Sequence, residues 1–404
     1  MDKLFICYID ALDLRRINSE DTPYLYRALN SNPWVKINTI PEVDLDPTLY
    51  TGVYPHEHCI WQVRLKDTRL NSLGQRLTDH IPDIASTTVQ CLIHLFTGSF
   101  DLAAVPTWRR RQFNITKTRY IKKNISQFLR LYGNKTFLSI IGEKESNLIY
   151  NSNFNELPLV LPRLFSLNCR LELLHIHSLD ILQHWNLDDP IRIQNSIREI
   201  DGFVENLNRG CKEKGVTLMI LSPHGQEPVR ESIDIINKFK GLGIPRDEYT
   251  YYIEAPKARF YFHTDRARET ILALLSSIEQ GRILSYKEMH DYNVKFEDKS
   301  YGEYYFILDP GYIFFPNDFY HPLANIFLGF SDWQQRSRFQ SPRYRGYHGY
   351  LPNNESEKGF MMLLDHNYKA IKKEAELIDF APTVLKLLGY EKPDFMKGQC
   401  VFTV

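Results

Sequence analysis

The sequence predicts an α/β fold, a mostly parallel central sheet flanked by helices, and three observations carry that prediction. Apolar runs of strand length recur, among them "KLFICYI" at 3 to 9, "LELLHIH" at 171 to 177 and "VTLMIL" at 216 to 221. Between the last two lies "PIRIQNSIREIDGFVENLNRGCKEKG", whose apolar residues recur at helical spacing up to a stop at Gly215. Strands alternating with amphipathic helices imply parallel pairing, because parallel neighbours need a long crossover and a helix is the usual one. With 404 residues, 43% of them hydrophobic, the chain can fill such a core.

Taken in order, the first strand runs into Asp10, and "DTPYLYRAL" follows as a helix with Pro23 in its first turn. "DPTLYTGVYP" starts a second helix, with Asp46 as N-cap and Pro47 at the first helical position, broken at Gly52. A strand is expected at 136 to 141, "TFLSII", ahead of those at 171 to 177 and 216 to 221. The character changes near residue 235. "ARFYFHTDRARETILALLSSIEQGRILSYKEM" reads strand, helix, turn, helix, and "YGEYYFILDPGYIFF" reads as an aromatic-rich strand pair turning at Asp309-Pro310-Gly311. The expected organisation is a core of 1–234 and 336–404 carrying an inserted α+β cap, 235–335. The chain returns through "SPRYRGYHGYLPNN" to a last helix, "LIDFAPTVLKLLG", closed by Gly389.

Forty-nine basic residues balance 49 acidic ones, so no overall field draws the chain to a nucleic acid polymer, and any phosphate binding must be local. There is no run near 18 apolar residues, and the amino terminus enters a strand without a basic-then-apolar leader. The expectation is a cytoplasmic protein with no membrane partner; no feature of the sequence sets an oligomeric state. Six cysteines without CxxC spacing suit reduced thiols better than a disulfide frame or a zinc knuckle. The sequon Asn114-Ile115-Thr116 is then a chance match.

Four places put metal-binding side chains at strand ends or in adjoining loops: Asp10, the Asp180/His184 pair, His224 and His348. The carboxyl edge of the strands is where open α/β sheets build their sites. Taken singly, a histidine is more often a structural residue than a ligand. Asp180 and His184, in "SLDILQHW", are stronger because i,i+4 spacing on a helix lets an oxygen and a nitrogen donor face one cation; the bland alternative is a surface Asp/His contact. Arg343 and Arg345 lie close enough to His348 to serve as substrate-binding cations. Arg109-Arg110-Arg111 reads more readily as a solvated face, Tyr304 or Phe319 as a cap aromatic able to stack on a substrate ring, and His56 and His58 as braces of a helix end. Asp365-His366 has the look of a metal pair but lacks matching partners.

In order, "CYIDAL", "TGVYPHEHCIW", the D-x-x-x-H pair, a late strand ending in S-x-H-G, then H-G-Y and "IDFAPTVLKLLG" resemble the alkaline phosphatase superfamily, in particular its type I phosphodiesterase/nucleotide pyrophosphatase branch. The resemblance implies two divalent ions, zinc first with manganese or iron as alternatives, that polarise a phosphoryl or sulfuryl oxygen and activate a Ser/Thr nucleophile or water. By that resemblance Asp180, His184 and His348 hold one ion, while Asp10 and His224 help to hold the other.

Two departures shape the implied activity. Pro223 stands where the family has an aspartate ligand, and it offers neither a side-chain donor nor a backbone N–H. The nucleophile position falls on Glu42 when counted without gaps, or nearer Asp44 when the helix starts are aligned, and neither is a hydroxyl; Thr48 sits inside the predicted helix. The implied protein is a metal-dependent hydrolase of a phosphorylated or nucleotide-like small molecule, working through metal-activated water with Asp44 or Glu42 as base or extra ligand. A lyase or transferase using the same centre, or a pseudoenzyme that binds a phosphorylated ligand, are the alternatives.

Overall fold

A computed structural model of the chain describes residues 3–61, 64–65, 80–97, 112–115, 136–164, 169–365 and 367–404. In chain order the elements that build the site and its support are β1 (Leu4–Ile9), α1 (Pro23–Ser31), β2 (Trp34–Asn38), α2 (Asp46–Thr51), α3 (Phe137–Ile141), β3 (Ser146–Asn151), β4 (Leu171–Ile176), α4 (Ser178–Asn186), α5 (Pro190–Glu213) and β5 (Thr217–Ser222). There follow β6 (Tyr249–Ile253), β7 (Lys257–Phe262), α6 (Asp265–Ser276), β8 (Gly281–Ile283), β9 (Tyr304–Leu308), β10 (Gly359–Leu363), β11 (Glu374–Glu376) and α7 (Phe380–Leu387).

Seven strands form the central sheet in the order β11-β2-β10-β5-β1-β4-β3. β1 runs parallel to both β4 and β5, and β3 to β4, while β10 is antiparallel to β2 and β5. Every residue of β1 is buried, because both faces of the sheet are covered. On one face Leu4, Ile6 and Tyr8 pack with Leu173, Met219 and the α7 residues Phe380 and Val384. On the other, Phe5, Cys7 and Ile9 pack with Ile176, Ile220 and the α5 residues Ile200, Val204 and Leu207. This is why "KLFICYI" is a continuous apolar run; each such side chain contributes about 1.5–3 kcal/mol of burial.

Two expected elements differ. Residues 136 to 141 form helix α3 rather than a strand: Thr136 accepts the Ser139 N–H at 3.2 Å, Ser139 Oγ accepts the Thr136 N–H at 3.0 Å, and this reciprocal cap starts a helical turn. Its buried Phe137, Leu138 and Ile141 lie at helical rather than alternating spacing, and the strand follows ten residues on as β3. At Asp309-Pro310-Gly311 the chain does turn, but the flanking segments do not pair with each other. β9 pairs with β7 and β8, whereas Tyr312–Phe314 runs parallel to Glu231–Ile233. Gly311, at φ +94°, turns the chain away, and its carbonyl accepts the Arg230 N–H at 2.8 Å. Asp46 is the first helical residue of α2 rather than its cap; the turn ends at Gly52, φ +66°, as expected.

The second sheet, β6-β7-β9-β8, is antiparallel and shares an apolar cluster with α6. The segment 322–339 that leads out of it packs back on the core, where Asn186 of α4 donates to the Gln334 carbonyl at 2.8 Å. None of the six cysteines forms a disulfide among the described residues. No helix of the described residues is long and apolar enough to cross a membrane.

Candidate metal centre

The centre grows out of the register of three adjacent parallel strands. Tyr8 lies opposite His175 of β4 and opposite Leu221 of β5, and the Asp10 N–H continues the ladder to the Ile176 carbonyl at 3.0 Å. Side chains alternate with a period of two, so Tyr8 and Asp10 share one face with His175 and His177. On the other side β5 delivers His224 two residues past its end. Helix α4 begins directly at Ser178 and holds Asp180 in its first turn, where the helix N-terminus favours negative charge, and His184 one turn later. His348 arrives on a loop pinned twice: Gly346–Tyr347 pairs with Glu227–Pro228, and the Arg345 N–H donates to the His184 carbonyl at 2.7 Å.

All five sequence-predicted ligands converge. His184 Nε2 lies 3.3 Å from Asp180 Oδ2, and His348 Nε2 lies 3.5 Å from Asp180 Oδ1. His224 Nε2 is 3.2 Å from Asp10 Oδ1, and Asp10, Asp180 and His224 also form a group of close ligand atoms. The other ring nitrogens explain what these contacts are. His184 Nδ1 donates to the Gly346 carbonyl at 2.9 Å, and His224 Nδ1 donates to the Gly225 carbonyl at 2.9 Å. In the neutral ring each Nε2 is therefore a lone pair aimed at a carboxylate oxygen, an arrangement that needs a proton or a cation between them. Four ligands at 2.0–2.1 Å around a tetrahedral ion stand about 3.3 Å apart, close to the separations here. A backbone carbonyl holding the far nitrogen, as at His184 and His224, is the support that metal-ligating imidazoles use, while His348 Nδ1 has no hydrogen-bond partner among the described residues. The residues present thus fit a divalent ion.

Electrostatics agree in direction. Burial alone would raise the Asp10 carboxyl, but hydrogen bonds from His175, His177 and His224 hold it well below the usual range. Asp180 is likewise held down, with burial opposed by His184. Burial would lower His224, yet Asp10 raises it to about 9. His348 goes well below its ordinary value through burial and the His224 ring stacked on it at 3.8 Å.

The other candidates fare differently. Glu42 is fully employed: Oε1 accepts the Val43 N–H at 2.7 Å and the Asp44 N–H at 3.2 Å, and Oε2 faces the buried Lys257 Nζ at 3.6 Å. Asp44, half-buried, accepts the Asp46 N–H at 3.4 Å, while Asp46 accepts the Tyr8 hydroxyl at 2.9 Å. His58 Nε2 meets Thr48 Oγ1 at 3.1 Å, and since His58 Nδ1 accepts the Ile60 N–H, the ring donates to the threonine and cannot take its proton. The Arg345 guanidinium is drawn to Asp188, at 3.3 Å, and its backbone positions the His348 loop; Arg343 is half-buried on the same loop. Tyr304 packs on Phe262 and Phe319 on Tyr252 within the aromatic interior. Arg109-Arg110-Arg111, His366 and Thr116 lie outside the described residues.

Four residues of the centre escaped sequence reasoning. His175 Nε2 and His177 Nδ1 reach Asp10 Oδ2 at 3.3 and 2.7 Å, a His-x-His at a strand end that alternation could have exposed. Gln226 Nε2 donates to Asp180 Oδ1 at 2.6 Å. Glu357 is buried near His224; its Oε2 accepts the Gly349 N–H at 2.9 Å, its Oε1 has no hydrogen-bond partner among the described residues, and burial pushes it up to about 7. Gln226 and Glu357 carry no local signal.

Comparison with known proteins bears on this geometry. The sequence model of the type I phosphodiesterase / nucleotide pyrophosphatase family matches residues 46–350. No curated protein matches the sequence. Among solved structures, murine ectonucleotide pyrophosphatase/phosphodiesterase 5 superposes with a TM-score of 0.59 at 17% identity, covering 97% of this chain and 96% of that one. An inactive variant of the murine protein in complex with AMP gives 0.59 at 16% identity over 97% and 96%. The human counterpart gives 0.60 at 15% identity over 98% and 97%. At these identities the likeness establishes a shared fold.

Proposed function

This chain belongs to the type I phosphodiesterase / nucleotide pyrophosphatase family, and we propose on that basis that it is a metal-dependent phosphoric ester hydrolase acting on a nucleotide-like small molecule through activated water. The observation that carries the proposal is the pair of Nε2 atoms, of His184 and His224, aimed at the carboxylates of Asp180 and Asp10 by the backbone carbonyls that hold each Nδ1. Divalent ions there, zinc by the mixed imidazole and carboxylate donors, would polarise a phosphoryl oxygen and lower the pKa of a water.

Asp180, His184 and His348 hold one position, and Asp10, Asp180 and His224 the other. The attacking group is water rather than a threonine, because Thr48, 1% exposed, accepts its hydrogen bond from His58. Of the two carboxylates at the predicted nucleophile position, Glu42 is engaged by Lys257, so we assign proton acceptance to Asp44. Arg343 is assigned to the substrate phosphate and the cap, 235–335, to substrate selection. The nucleotide preference follows the related murine protein, which binds AMP.

Elemental analysis of protein purified without chelator, with turnover of a chromogenic nucleotide phosphodiester, tests this reading. Stoichiometric divalent metal and hydrolysis that stops on chelation are expected. Metal without hydrolysis of any phosphodiester would point instead to lyase or transferase chemistry. Folded protein that takes up no added metal would overturn the proposal and leave a ligand-binding pseudoenzyme.

A further inference from the structure

We propose that Asp10 Oδ2, His175 Nε2 and His177 Nδ1 form a further cation position, on the carboxylate oxygen of Asp10 other than the Oδ1 that His224 meets. The three ligand atoms all lie within 4.8 Å of one another. His175 Nε2 stands 3.3 Å from Asp10 Oδ2, the edge expected of a tetrahedral site at about 3.3 Å, and His177 Nδ1 stands 2.7 Å from the same oxygen. Loading requires the His177 ring to withdraw by about 0.6 Å to reach that edge, and His177, with its side chain 21% exposed, is the member able to move.

The fold fixes the donors in advance. His175 is buried, stacked on Tyr8 at 3.9 Å with 9° between the rings and met edge-on by Tyr150 at 5.2 Å, so its Nε2 has one direction to point. His177 stacks on Tyr150 at 5.6 Å, where β4 passes into α4. His184 and His348 do not belong to this group, and Asp180 Oδ2, 3.9 Å from His177 Nδ1, lies beside it without being a member, so its three donors are distinct from those of the first ion. Two imidazoles and one carboxylate with open positions suit a borderline transition ion, Zn²⁺, Fe²⁺ or Mn²⁺, and exclude the all-oxygen preference of Ca²⁺ or Mg²⁺. A carboxylate shared between neighbouring ions is the usual bridge of multinuclear phosphoryl-transfer centres. The inference rests on the proposed function only through Asp10, which both readings use.

The competing account is that His175 and His177 simply donate hydrogen bonds to Asp10. Metal-stripped protein is reloaded with Zn²⁺, dialysed, and its bound equivalents counted for wild type, His175→Gln, His177→Gln and His184→Ala. The expected result is one equivalent fewer than wild type in each of the first two variants, and a separate loss in His184→Ala that adds to theirs when combined. Titration with Co²⁺ should show the matching loss of visible absorption. Equal equivalents in wild type, His175→Gln and His177→Gln, with loss in His184→Ala, overturn this inference and spare the proposed function. A wild type that binds no Zn²⁺ overturns both. Should the variants fail to fold, anomalous diffraction from Zn²⁺-loaded wild type decides alone: a peak about 2.1 Å from His175 Nε2 and His177 Nδ1 supports the position, and its absence beside occupied neighbours overturns it.

Discussion

Two partly buried histidines, His58 and His184, show how the direction of one backbone hydrogen bond separates a brace from a ligand. At His58 the backbone donates: the Ile60 N–H enters Nδ1 at 3.1 Å, so the proton sits on Nε2 and is given to Thr48 Oγ1. Both nitrogens are satisfied, and burial with the nearby His56 pushes the ring down to about 3. At His184 the backbone accepts: Nδ1 gives its proton to the Gly346 carbonyl, and Nε2 is left as a lone pair 3.3 Å from Asp180. The residue type and the degree of burial are alike; the tautomer decides which ring can bind a cation.

The largest test of that contrast is to remove each ring. His184→Ala is expected to lose metal and to lower kcat/KM at least a thousandfold, about 4 kcal/mol of transition-state stabilisation, whereas His58→Phe keeps its full metal content. Elemental analysis and steady-state kinetics on both variants would break the comparison if His58→Phe lost metal as well. A smaller effect is expected at Gln226, whose Nε2 holds Asp180 Oδ1 at 2.6 Å. Gln226→Ala should weaken metal affinity about 10–100-fold while leaving the ligands in place, as read by competition with a chromogenic chelator.

A test of a different kind, on stability rather than on metal, separates the two rings by pH. Because the folded His58 is depressed to about 3, the unfolded chain binds the extra proton below about 6.5, and stability falls as pH drops from there toward 3. In metal-stripped protein, the unfolding free energy of wild type from urea titration should fall more steeply from pH 7 to 4 than that of His58→Phe, by at most about 1.4 kcal/mol per pH unit. Parallel slopes would show that His58 is not held neutral.

How much was legible depended on how local each signal is. Asp180 and His184 were readable because both lie on one helix and their spacing alone aims them together. Asp10, His224 and His348 were readable only with the order of the surrounding motifs. The segment 137–141 is ambiguous by sequence because its four apolar residues around Ser139 fit a strand as well as a helical turn, and the deciding feature is the reciprocal Thr136/Ser139 cap. Glu42 looked like a lost ligand until Lys257, carried in from the second sheet, appeared beside it.

By itself, the sequence determined the α/β class, the parallel strands with their connecting helix α5, and the five side chains that meet at the sheet edge. The class, the strands and the Asp180/His184 pair follow from periodicity and from groups a few residues apart, whereas Asp10, His224 and His348 follow from the resemblance in motif order. The tertiary structure alone decided which ring nitrogens face a carboxylate, that Asp10 is surrounded by three imidazoles from two neighbouring strands, and that Glu42 is neutralised by the second sheet. Each of these depends on strand register and on hydrogen bonds between residues far apart in the chain, and side-chain spacing along one strand carries no record of what its neighbour places opposite.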